Sequence, residues 1–178
     1  MDPLGSLALV PALDRPDLLA DPVRAALSAW PQAAEVGVVE IDPELADTAA
    51  MSEAYDVPLG ASANCVVVAG RRAGDERLAA CVVCADTRAD VNNAVRKLLD
   101  VRKCSFHDHD RAVAETGMEY GGITPVGLPD DWRLLLDARV VEIDRAVVGS
   151  GVRRSKLVLP GRLLAALPGA EVVDGLAR

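Results

Sequence analysis

The sequence predicts a mixed α/β (α+β) domain: a curved mixed β-sheet or barrel-like core flanked by helices. Three observations predict it. Short β-branched or leucine-rich runs alternate with segments that open on Asp and Pro, the signature of capped helices. Glycine-rich turns join some of the runs directly, so hairpins occur beside crossovers and an all-parallel sheet is disfavoured. The apolar fraction is 51% while only one Phe, two Tyr and two Trp are present, so the core must be built mainly of Val, Leu, Ile and Ala. A chain of 178 residues buries such a core without staples.

Taken in order, residues 1–20 carry three prolines and no sustained periodicity, and read as a loosely docked N-terminal arm ahead of a single domain over 21–178. Asp21-Pro22 opens a helix through Trp30. Residues 35–41 read as a strand. Asp42-Pro43 repeats the cap-plus-proline device and starts a helix to about Tyr55, broken by Pro58-Leu59-Gly60. Residues 64–69 and 78–85 form a predicted hairpin around the turn residues Gly70 to Asp75. A capping-box-like Thr87-x-x-Asp90 opens a helix with Val91, Val95 and Leu98 or Leu99 on one face. After a short strand over 101–106, Asp108 caps a helix that Gly117 ends in the left-handed conformation. Residues 134–136 are a strand, 138–143 a helical turn or strand, and 146–149 and 156–159 two strands around a glycine-rich turn. Pro160 begins a helix through Leu167, and residues 171–173 close as a strand.

The charge balance restricts the function classes. A net charge of −8 rules against a surface that grips duplex DNA along its phosphates. The charge is uneven, however: residues 1–63 hold 11 acidic and 2 basic side chains, residues 133–178 hold 5 and 8. A local basic face suited to a short single-stranded end is compatible with that distribution. No run approaches the roughly 20 apolar residues of a membrane span, and the first residues lack the basic region of a signal peptide. Four cysteines, at 65, 81, 84 and 104, are too sparse for a disulfide framework. These features point to a reducing, cytoplasmic setting without membrane contact.

Cys81-Val82-Val83-Cys84 has the C-x-x-C spacing, but on a strand positions three apart face opposite ways, so core cysteines are expected. His107-Asp108-His109-Asp110 has the look of a metal clip, yet Asp108 is explained as a helix cap and no third distant histidine completes a set. With no metal set, Walker loop or dinucleotide fingerprint, no metal and no cofactor is expected. Cys65 is a candidate nucleophile only with a base beside it, and a packed strand residue is the simpler reading. The cluster Arg153-Arg154-x-Lys156 beside Gly149-Ser150-Gly151 is suited to charge-assisted bonds to phosphate. The least ordinary segment is Gly121-Gly122-Ile123-Thr124-Pro125-Val126-Gly127. Adjacent glycines let a ligand approach the main chain, and a following proline stiffens the loop, so amide N–H groups there can face a developing oxyanion.

The order of these motifs resembles the YbaK/prolyl-tRNA-synthetase-associated editing domains. The resemblance is carried by Thr116-Gly117, the loop Gly121 to Gly127, the strand Leu134 to Asp137, the turn Gly149-Ser150-Gly151 and the segment Leu157 to Val173. The Val57-Pro58-Leu59-Gly60 break and the strand after it match as well, and the whole spans roughly residues 43–174. The resemblance implies a trans-acting deacylase that cleaves the ester of a small mischarged amino acid on tRNA, proline tRNA leading. Its partner would be the aminoacyl-tRNA acceptor end, with an aminoacyl-tRNA synthetase as a further one. It implies main-chain donors at Gly121 and Gly122 as the catalytic elements. Thr124 and Pro125 would shape the loop, and Ile123, Thr124, Pro125, Cys65, Gly149, Ser150, Gly151 and Arg153 would bind the substrate. The family usually carries a lysine at the start of the strand after the Pro-Gly break. Asn64 stands there instead and joins Gly121 and Gly122 as a candidate catalytic residue, able to donate and accept hydrogen bonds but without charge. The missing charge has three candidate sources, Lys103, Arg153 and Lys156, and an alternative reading is a non-catalytic binding module.

Overall fold

The computed structural model of the protein describes all 178 residues. In chain order the strands are β1 (Val10–Pro11), β2 (Gly37–Glu40), β3 (Ala63–Arg72), β4 (Asp75–Cys84), β5 (Cys104–Phe106), β6 (Arg133–Asp137), β7 (Ala146–Gly149), β8 (Ser155–Leu159) and β9 (Ala170–Val173). The helices are α1 (Asp21–Ala29), α2 (Thr48–Ala54), α3 (Arg96–Leu98), α4 (His109–Thr116), α5 (Ala138–Val141) and α6 (Gly161–Leu164).

The expected mixed core is divided between two sheets. One has four strands in the order β1-β2-β8-β7 and is antiparallel throughout. The other has five, β5-β3-β4-β6-β9, antiparallel on the β5-β3-β4 side and parallel across β4-β6-β9. The main core contains side chains of both sheets and of α1: Ala80, Val82, Leu134 and Leu136 from the larger sheet, Val38, Val148 and Leu157 from the smaller, and Val23 and Leu27 from α1. Period-two alternation assigns the remaining faces. Ala79, Cys81, Val83 and Leu135 pack with Val91, Val95 and Leu99 on the far side of the larger sheet. Val39, Val147 and Val158 pack with Met51 of α2 on the far side of the smaller one. Strands buried on both faces read as continuous apolar runs, as 78–84 does. The C-x-x-C cysteines obey the same rule, with Cys81 and Cys84 in two different core clusters and all four cysteines free.

Several local expectations hold because their causes are local. Asp108 accepts from the Arg111 amide at 3.0 Å, and Gly117 ends α4 at φ 65°. The β3–β4 hairpin turns at Ala73-Gly74, both with positive φ, later than the turn residues suggested because the ladder continues to Arg72 opposite Asp75. Other boundaries differ. The helix expected over 43–55 is two pieces, since Asp42 caps only a 3₁₀ turn (Pro43–Leu45) and Asp47 caps α2 by accepting from the Ala49 amide. The helix expected from Thr87 begins later, as a π-helical turn over Val91–Val95 leading into α3, because the Thr87 hydroxyl instead donates to the Cys84 carbonyl.

Residues 1–20 are embedded and not loosely docked. Leu7, Leu9, Ala12, Leu18 and Leu19 are buried, and β1 pairs with β2. Their irregular apolar spacing reflects successive 3₁₀ turns over Ala12–Asp14 and Pro16–Leu18, which impose no single period. At the other end, the buried Asp137 carboxylate caps α5, pairs with Arg139 and accepts from the Ala177 amide at 2.9 Å. Burial by itself would raise its pKa, but these partners outweigh it and hold the carboxyl below its ordinary value.

Candidate functional site

A cleft of about 860 Å³ opens at the start of β3. Its walls come from five places: residues 46–49 at the entry to α2, Ser62 with the first residues of β3, His107 and His109 at the start of α4, Tyr120, Gly121 and Ile123 of the glycine loop, and Val147 to Gly149 with Arg153 and Lys156. Ser62 forms a bridge with Val147, which brings the first residues of β3 beside the smaller sheet and closes the floor. A smaller hollow of about 250 Å³, bordered by Cys84, Asp86, Thr87 and Arg139, contains none of the predicted site residues.

Of those residues, Asn64, Cys65, Gly121, Ile123, Gly149 and Arg153 line the cleft. The Thr48 hydroxyl donates to Asn64 Oδ1 at 2.7 Å, leaving the Asn64 amide NH2 without a protein acceptor. Gly121 is exposed at φ 77°, and its main-chain N–H donates to no protein group. An N–H presented this way is a donor for a ligand oxygen.

Gly122 has a different task. Its N–H donates to the Glu119 carbonyl at 2.9 Å and its carbonyl accepts from Gly151 at 2.8 Å. A Cβ on Gly122 would sit 2.8 Å from the Val152 backbone, and one on Gly149 would sit 2.3 Å from the Gly122 carbonyl oxygen. The paired glycines therefore let the loop lie directly on the turn between β7 and β8. Gly122 belongs to that contact and has no amide left for a ligand. Ser150, Gly151, Thr124 and Pro125 are buried and stand outside the cleft wall. The Ser150 hydroxyl is taken up by Ser155 Oγ at 2.6 Å and nearby carbonyls, so its role is to shape the turn.

The turn in its place aims Arg153. Its amide donates to Glu119 Oε2 at 2.7 Å and its guanidinium reaches the Pro43 carbonyl at 3.1 Å, bridging the loops on either side of the cleft. Cys65 packs against the main core, and burial pushes its thiol up, which keeps the sulfur protonated and unsuited to attack. His107 pairs with Glu115 at 3.0 Å and packs edge-on to Trp132, while His109 lies over the Tyr120 ring with centroids 3.8 Å apart. No group of three or more metal-binding side chains is present.

One residue of the site was not singled out ahead of its neighbours. Lys156 of β8 is 6% exposed, lines the cleft and donates to the Ala46 carbonyl at 2.9 Å. Its pKa is lowered to about 8, chiefly by burial and then by the nearby Arg153 charge, with Asp47 opposing them. Of the three candidate cations, Lys103 is exposed and outside the cleft, whereas Arg153 and Lys156 are in it. The available signal was a lysine opening the strand run Lys156 to Leu159; that every position of β8 is buried is a tertiary fact.

The fold and cleft define a class: a two-sheet α/β domain that offers a small ligand an unpaired main-chain donor, an amide side chain and two cations. The family model of the aminoacyl-tRNA editing domain matches residues 42–167, and the chain belongs to that family. Solved structures agree on the fold. One, provisionally described as a trans-editing enzyme for prolyl tRNA synthetase, superposes with a TM-score of 0.74 at 22% identity, covering 87% of this chain and 94% of that one. A second, the hypothetical protein APE2540, gives 0.76 at 20% identity over 89% of this chain and 100% of its own.

Proposed function

We propose that the protein is a trans-acting deacylase that hydrolyses the ester between a small mischarged amino acid and the terminal ribose of tRNA, proline tRNA being the leading case. The observation that carries this reading is the free Gly121 amide in a cleft shared with Asn64, within a chain of the editing-domain family. A water supplies the attacking oxygen and gives up a proton, with the ribose hydroxyl adjacent to the ester as the hydrogen-bond partner that orients it. Attack on the carbonyl carbon forms a tetrahedral oxyanion that the Gly121 N–H stabilises. Collapse breaks the bond to the ribose oxygen, which takes up a proton, and the amino acid leaves as its carboxylate. With Cys65 held as a thiol and His107 engaged by Glu115, the route is substrate-assisted and needs no side-chain nucleophile.

The rim supports an RNA end as ligand. Phe106 and Tyr120, the two aromatic side chains left largely exposed, both border the cleft, and unstacked bases pack on such faces. The partners would be the aminoacyl-tRNA acceptor end and, where charged tRNA is released, a synthetase. The setting would be cytoplasmic, and no helix is long and apolar enough to cross a membrane. A second reading, a binding module without turnover, is favoured by the uncharged Asn64. Release of labelled amino acid from alanyl- and cysteinyl-tRNA for proline separates the two. Rapid release that Gly121→Ala abolishes supports the deacylase; retained tRNA binding with no release supports the binding module.

A further inference from the structure

The geometry points to an anion-binding subsite in the cleft, built from Lys156 with Arg153, that receives an anionic oxygen of the bound aminoacyl-RNA. This rests on the deacylase reading and adds to it the group that supplies positive charge from a different strand than Asn64.

An ammonium carries three donors and no acceptor. Lys156 is 6% exposed yet has one protein acceptor, the Ala46 carbonyl, and it forms no ion pair. Removing a charge from water without a counter-charge is strongly unfavourable, so buried cations are ordinarily paired. Here the nearest influential charges conflict, since Arg153 repels Lys156 while Asp47 attracts it. The Asp47 carboxylate is itself engaged as the cap of α2, accepting from the Ala49 amide at 3.0 Å. An anion placed between Lys156 and Arg153 relieves both the missing counter-charge and the repulsion. The position is built, because Lys156 projects from a strand held on both sides, by Val39 of β2 and Gly149 of β7. The place of a Gly149 side chain is taken by the Gly122 and Ile123 carbonyls of the glycine loop, and Lys156 lines the cleft beside them.

Two oxygens of such a ligand are anionic at some stage: a phosphodiester oxygen next to the terminal ribose, and the former carbonyl oxygen of the ester in the tetrahedral intermediate. Two substrates tell them apart, a mischarged tRNA and the corresponding aminoacyl-adenosine, which has no phosphate. Lys156→Met keeps the bulk of the side chain, and thermal melting checks that the fold is retained. We expect kcat/KM on the tRNA ester to fall about 10- to 100-fold, as for loss of one charged hydrogen bond. If the oxygen is the phosphodiester, the loss appears in KM and vanishes on aminoacyl-adenosine. If it is the oxyanion, the loss appears in kcat and persists on both substrates. Asn64→Lys in the Lys156→Met background should restore part of the rate. A folded Lys156→Met protein as active as wild type on both substrates would overturn the subsite.

Failure of the deacylase reading is separable. Should wild type hydrolyse neither ester, calorimetric binding of an oligonucleotide ending in cytidine-cytidine-adenosine decides the subsite alone. Binding weakened at least about tenfold by Lys156→Met supports it, and equal binding by the two proteins overturns it.

Discussion

β4 and β8 are both central strands, and both are enclosed on their two faces, but they are filled differently. From Ala79 to Cys84, β4 holds only apolar side chains, divided between two core clusters. In β8, Leu157 and Leu159 join the main core while Lys156 takes a position that packing alone would give to a residue such as Val158. The first strand is organised for stability. The second retains a cation where a hydrophobic residue of similar size would be more favourable for folding. The difference sets the buried cation of the smaller sheet in the cleft, beside the start of β3.

The comparison is sharpened by truncating the larger sheet. Leu136 on β6, beside β4, is fully buried, so Leu136→Ala should destabilise the protein by roughly 2–5 kcal/mol in denaturant unfolding. Lys156→Met should act in the opposite direction, stabilising by about 1–3 kcal/mol near pH 7 while impairing the site. The pH dependence follows from its lowered pKa. Between about 8 in the folded protein and the ordinary value of 10.5, the unfolded chain holds the extra proton, so stability rises with pH. Below about 8 the unfavourable burial of the charge is fully present. The stability gap between Lys156→Met and wild type should therefore be widest at pH 7 and close toward pH 10.5, measured as the difference of two unfolding curves. A gap that stayed constant would show that Lys156 is not the cause.

Smaller effects are expected around the glycine loop. Gly121 has φ 77°, and an added Cβ would come within 2.7 Å of Arg153 Nη1. Gly121→Ala should cost about 1 kcal/mol of stability from backbone strain, visible as a lowered melting temperature, and should displace Arg153. Thr124 carries a fully buried hydroxyl with no partner. Thr124→Val removes that unsatisfied group at constant shape and should stabilise by roughly 1 kcal/mol. An unchanged or lowered melting temperature would show that the hydroxyl has a partner, such as a buried water.

Thr124 also shows where motif reading loses resolution. Gly121, Gly122, Thr124 and Pro125 stand together in one motif, yet only Gly121 among them borders the cleft. The contacts of Gly122 and the burial of Thr124 depend on the turn between β7 and β8, almost thirty residues later. Asn64 and Gly121 both stand at recognisable breaks in the chain, and both line the cleft.

From the sequence alone came the α/β class, the strand runs, the cap at Asp108, the left-handed stop at Gly117 and the family. Each rests on neighbours within a few residues or on a contiguous motif, and such interactions are written in order along the chain. Tertiary structure decided the division into two sheets, the embedding of residues 1–20 and the placing of Lys156, and not Lys103, in the cleft. Lys156 meets its carbonyl partner on Ala46 across 110 positions of sequence. A lysine's burial, and therefore its charge and its use, is set by the elements that surround it in space, which no local pattern records.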